Sequence, residues 1–173
     1  AGKATRTLGL ATSDLALMAP AQIASAIHDR AAAQGYHLVI AMANTAGSAQ
    51  DTVNELLAQR VDALLINLPL DAEQAAQVQQ QCGSKPVLFL DVEQHAAVAQ
   101  CQYQSESGAQ QAVEHLVALG HQQIGVLNGP ESSASARARF AAWQQALASH
   151  QLQPMCVLHG DWSAASGYQA LLQ

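Results

Sequence analysis

The chain has 173 residues, half of them apolar and 12% charged, which suits one domain or two small ones with a sizeable core and argues against disorder. The formal net charge is −6, its seven lysines and arginines are thinly spread, and aromatics make up 4%, so these residues offer neither clustered cations for phosphates nor platforms for bases. The three cysteines form no CxxC pair, which argues against zinc or a disulfide framework and fits reduced thiols in a cytoplasmic protein. AGKATRT at the start has no apolar signal-peptide core, and no apolar run reaches membrane-spanning length.

Thr7 to Thr12 (TLGLAT) is short and mostly apolar, as in a strand covered on both faces. A loop from Ser13 leads to a helix with Pro20 in its first turn, an apolar stripe of Ile23, Ile27 and Ala31, and Gly35 as its stop. His37–Met42 is a second strand. Ser48 and Asp51 form a capping box opening a helix to about Gln59. Val61–Asn67 is a third strand, and Asp71 or Ala72 starts a helix to Cys82 that Gly83-Ser84-Lys85-Pro86 breaks. Val87–Leu90 is a fourth strand ending at Asp91, and Val98–Tyr103 is read as a fifth.

The rhythm then restarts. Ser105–Leu119 is a helix with Gly120 as its stop, Gln123–Leu127 a strand, Ser132–His150 an Ala-rich helix and Met155–Leu158 another strand. Ser163 is placed to cap a last helix running to Gln173. Strands alternating with helices indicate βαβ crossovers and a mainly parallel sheet. Two such series, meeting near Tyr103–Gln104, predict two lobes, and the second is too short to complete a doubly wound lobe, so a truncated chain is expected.

No GxGxxG follows the first strand, no GxxxxGK[ST] is present, and Ser13 is not in a GxSxG elbow. The seven histidines show no HExxH, so no catalytic set and no cofactor is expected. Asp91 ends the apolar strand LFLD at the sheet edge where ligands bind in open α/β folds; it either accepts hydrogen bonds from ligand hydroxyls or caps the next turn. Arg137 and Arg139 offer planar forks suited to vicinal hydroxyls or a carboxylate, or are exposed helix cations. Trp162 either stacks on the apolar face of a sugar or fills a core. Leu17, Ala19, Pro20 and Ile23 form either an apolar ligand wall or a packing face.

In this order, GLATSDLALMAPAQI (Gly9–Ile23), LLAQRVDALLINLPLD (Leu56–Asp71), LFLDV (Leu88–Val92), VEHLVALGHQQI (Val113–Ile124), SSASARAR (Ser132–Arg139) and GDWSAASG (Gly160–Gly167) resemble the LacI/GalR family of bacterial transcriptional regulators. The resemblance implies an α/β, two-lobed, periplasmic-binding-protein-like core with parallel sheets flanked by helices, here truncated. Residues 1–6 would end a linker from a missing DNA-binding headpiece, 7–103 would form the N-terminal lobe and 104–173 part of the C-terminal lobe. It implies a galactoside-type inducer held by Ser13, Leu17, Ala19, Pro20, Ile23, Asp91, Tyr103, Arg139 and Trp162, with no metal. Tyr103 stands where the matching pattern has a phenylalanine, and Met18 replaces a histidine of the dimer interface. The implied partners are operator DNA, through the headpiece, and a second copy of the chain, with a tetramer open for the full-length protein. A sugar-binding protein of a transport system, or an enzyme on the same scaffold, would share the fold.

Overall fold

The computed structural model describes residues 4–43 and 48–172. They divide into two compact units, the break falling between Gln102 and Tyr103. In the first unit β1 (Thr7–Thr12), β2 (His37–Met42), β3 (Ala63–Asn67) and β4 (Val87–Phe89) form one parallel sheet in the order β2-β1-β3-β4. The crossovers are α1 (Met18–Ala33), α2 (Ala49–Ala58) and α3 (Ala72–Cys82). Local chemistry sets their limits. Ser48 and Asp51 make the reciprocal capping box at α2, and Asp71 with Gln74 makes another at α3. Gly35, at φ +74, provides the left-handed residue that ends α1.

Alternation along the strands decides which side is dry. Leu64, Ile66 and Phe89 are buried with Val53 and Leu56 of α2 and Ala75 and Val78 of α3 in one cluster. Gly9 belongs to this face, where an added Cβ would sit 3.3 Å from both Leu56 methyls and from Val61. The opposite side, beside α1, carries an apolar trough of about 480 Å³ lined by residues that include Leu8, Ile27, Tyr36 and Leu65.

The expected strand Val98–Tyr103 does not form. Its pairing reduces to a single bridge at Gln100, with Phe89 N donating to Ala99 O and Cys101 N to Phe89 O, both at 2.9 Å. The neighbouring strand is only three residues long, and the Gln100 amide turns back to the carbonyls of Gln94 and Ala96. β3 also starts two residues later than expected, although Asp62 N still donates to Thr7 O at 2.7 Å, and the Asp62 side chain forms a clasp with the segment entering β1. Its carboxylate accepts from Thr5 N at 3.1 Å, Thr5 Oγ1 at 3.0 Å and Arg6 N at 2.7 Å. These bonds, those from Thr5 above all, hold its pKa below the usual value.

The second unit pairs β5 (Val126–Asn128) with β6 (Val157–His159) in parallel, with α4 (Ser105–Ala118), α5 (Ala134–Ser149) and α6 (Ala164–Leu171). Its core joins Ala109 and Val113 of α4 to Ile124, Val126, and Ala142, Ala146 and Leu147 of α5, with Trp143 packed against them. Both strands are shorter than the apolar runs suggest, and upstream of them Met155 N still bonds Ile124 O at 2.9 Å.

Leu56 is fully buried, so Leu56→Ala should lower stability by about 3 kcal/mol through lost transfer energy and a residual cavity. Exposed Leu119→Ala should change it by less than about 0.5 kcal/mol. Urea denaturation compares the two.

Candidate functional site

Because all four strands of the first unit are parallel, their carboxyl ends emerge at one edge. The chain leaves β1 for β2 on one side and returns to β3 on the other, so the gap between β1 and β3 is the topological switch point where open α/β sheets bind ligands. Thr12 and Asn67 are register partners there, both buried, with Asn67 Nδ2 donating to Thr12 Oγ1 at 3.3 Å. Ser13 follows Thr12 in a loop that Asp14 shapes by accepting from Ala16 N at 2.8 Å. Asp91 leaves the same edge beyond β4, and its carbonyl accepts from Leu70 N at 3.1 Å. One sheet edge therefore gathers Ser13, Asn67 and Asp91. Asn67 was not singled out in the sequence, although a polar residue closing the apolar run DALLIN is the signal that marked Asp91.

Leu17 is the N-cap of α1 without a side-chain hydrogen bond, so the helix starts before Pro20 and takes in Met18 and Ala19. Leu17, Pro20 and Ile23 recur every three residues and are half-buried, and Ala19 is exposed. None of the four is among the fully buried residues of the unit.

In the second unit the turn Gly160-Asp161-Trp162-Ser163 is held by its own polar groups. Ser163 N donates to Asp161 Oδ1 at 2.9 Å, Asp161 N to Ser166 Oγ at 3.0 Å and Ser166 N to Ser163 Oγ at 3.0 Å. Ser163 thereby caps α6, as expected. Trp162 adopts φ +72, a left-handed conformation that costs a non-glycine residue about 1 kcal/mol or more. Its side chain is 43% exposed, and Trp143 rather than Trp162 packs against the core of the unit. The Arg139 guanidinium lies over the indole, Cζ 5.4 Å from the ring centroid, within cation–π range. Arg137 serves another purpose: its Nη1 donates to the carbonyls of Glu131 and Ser132, at 2.9 and 3.2 Å, tying the loop before α5. Tyr103 is 76% exposed, two residues before α4.

Among the described residues no group of three or more His, Cys, Asp or Glu is placed to hold a metal. No described helix is long and apolar enough to cross a membrane.

Comparison with known proteins assigns the architecture. The family model for periplasmic binding proteins and the sugar-binding domain of the LacI family matches residues 19–173. The chain belongs to this family. It is 47% identical to the lactose operon repressor of Escherichia coli over all of its own length and 49% of that protein, and 40% identical to the Klebsiella pneumoniae lactose operon repressor over 98% and 48%. A solved lac repressor dimer, bound to operator and the anti-inducer ONPF, superposes with a TM-score of 0.92 at 47% identity, covering 97% of this chain and 59% of that one. This LacI-family chain thus spans about half the length of the curated relatives it matches.

Asp161 gives the turn a pH signature. Its carboxyl is held down at about 2, first by the Ser163 side chain and then by the Ser163 backbone N–H and Ser166. A depressed folded pKa contributes stability above the unfolded value of about 3.9, lost as pH falls toward the folded one. Between about pH 4 and 2 the wild-type melting temperature should therefore fall more steeply than that of Asp161→Asn, in a calorimetric series.

Proposed function

We propose that this chain is the inducer-binding and dimerisation core of a lactose-repressor-like transcriptional repressor, acting on a galactoside-type sugar. The observation that carries this reading is the half-exposed Trp162 indole with the Arg139 guanidinium over it. An apolar ring face beside a fixed planar fork matches a sugar, whose C–H face stacks while its hydroxyls accept. In the first unit, Ser13, Asn67 and Asp91 line one sheet edge with groups able to accept from or donate to hydroxyls, and Leu17, Ala19, Pro20 and Ile23 offer an apolar wall at the start of α1. Tyr103 offers a further exposed ring, with a hydroxyl, ahead of α4. Similarity to lactose operon repressors over the full chain, and the dimer, operator and anti-inducer of the solved relative, support the assignment.

The mechanism is a population shift. Sugar binds one arrangement of the protein better than the other, since equal affinity for both moves nothing. The favoured arrangement lowers operator affinity, and operator weakens sugar binding by the same factor. DNA is contacted through a headpiece, and the regulator works in the cytoplasm as a homodimer, or as a tetramer of the full-length protein. Two exposed free thiols, Cys101 and Cys156, favour that reducing compartment over a periplasmic transport role.

Titrating the full-length gene product with galactosides, with glucose as control, should give a saturable change in tryptophan fluorescence. Asp91→Ala should weaken binding roughly 100-fold, since hydrogen bonds to a charged group contribute about 1.5–3 kcal/mol apiece. Trp162→Phe, followed by calorimetry because it removes the fluorophore, should weaken it up to about tenfold through the smaller stacking face. A folded protein showing no response at millimolar galactoside would exclude this ligand class.

A further inference from the structure

Gly129 follows the last residue of β5 and opens the loop to α5. Its φ lies outside the left-handed region, so its backbone would accept an alanine. The space beside it would not. A Cβ built on Gly129 would stand 2.2 Å from Trp162 Cζ2, 2.3 Å from Cη2 and 2.7 Å from Cε2. Carbons pack at about 3.5 Å or more, so the indole would have to move by about an ångström.

The indole has little freedom to do so in place. Its backbone is fixed at φ +72 inside the Asp161–Ser163–Ser166 turn. Gly129 is anchored as well: its carbonyl accepts from His159 Nδ1 at 3.2 Å, and the His159 ring meets Phe140 edge-on with centroids 6.0 Å apart. Two braced segments of backbone thus meet at one contact, with a ring on one side and a missing side chain on the other. Arg139 lies over that same ring.

We propose that Gly129 is a positioning residue for ligand binding: its bare backbone is the seat that sets the Trp162 indole, and through the indole the Arg139 guanidinium. The role assigned to the seated ring rests on the sugar-binding reading above. The seating itself rests on packing alone.

The test uses the full-length protein labelled with 5-fluorotryptophan, in which the 19F resonance lost in Trp162→Leu belongs to Trp162. Gly129→Ala should shift that resonance and raise the dissociation constant for a galactoside at least roughly tenfold, measured well below the melting transition. It should also lower the melting temperature by roughly 4 °C, a cost that largely disappears when Trp162→Leu has already removed the obstructing ring. An unmoved resonance, an equal melting cost in both backgrounds, or an unchanged dissociation constant would overturn the proposal; a purely structural glycine would alter melting and leave affinity alone. If the parent protein binds no galactoside, the sugar reading fails by itself, and the resonance and the melting cycle still decide where Gly129 places the ring.

Discussion

Parallel pairing is the constraint on which the rest of this molecule depends. A parallel strand cannot turn back through a short hairpin, so each return passes through a helix and every strand points the same way. In the first unit this sends the ends of β1, β3 and β4 to one edge, and with them Thr12, Asn67 and Asp91. Polar side chains far apart in sequence are thereby carried to one edge by the backbone pairing, and Asn67 and Thr12 meet there in a hydrogen bond. The other cost of the arrangement is that the strand faces must be covered by helices, which accounts for the apolar content and the thin charge.

The second unit solves a different problem with the same economy. A tryptophan in a left-handed turn is unfavourable on its own, and an exposed aromatic on a loose loop would be poorly aimed. Asp161 and the hydroxyls of Ser163 and Ser166 offset the first difficulty by hydrogen-bonding the backbone of the turn. Gly129 removes the second by leaving a place for the ring to rest. Arg139 then has a fixed surface over which to hold its charge.

Much of this was legible in the sequence, because the relevant signals are local. The capping box at Ser48, the helix start at Asp71 or Ala72, the stops at Gly35 and Gly120 and the alternation of apolar runs give most element limits to within a few residues, while the second box, Asp71 with Gln74, was not read from the sequence. What failed was pairing, which is not local. An apolar stretch becomes a strand only if its neighbour is long enough, and the three-residue β4 leaves Val98–Tyr103 with one bridge. The candidate site divides in the same way. Asp91 announces itself by closing an apolar run, whereas choosing between Arg137 and Arg139, or between Trp143 and Trp162 as the core residue, needs helix phase and burial. Gly129 was invisible, since its importance lies in an atom it lacks.

The Asp62 clasp has a mechanical meaning. One carboxylate receives the backbone N–H groups of Thr5 and Arg6, and Thr5 Oγ1 also donates to Arg60 O at 3.1 Å. Asp62 stands immediately before β3, a central strand of the sheet. The segment entering β1 is thus tied through Asp62 to the start of β3, so a displacement of Thr5 bears on both central strands together.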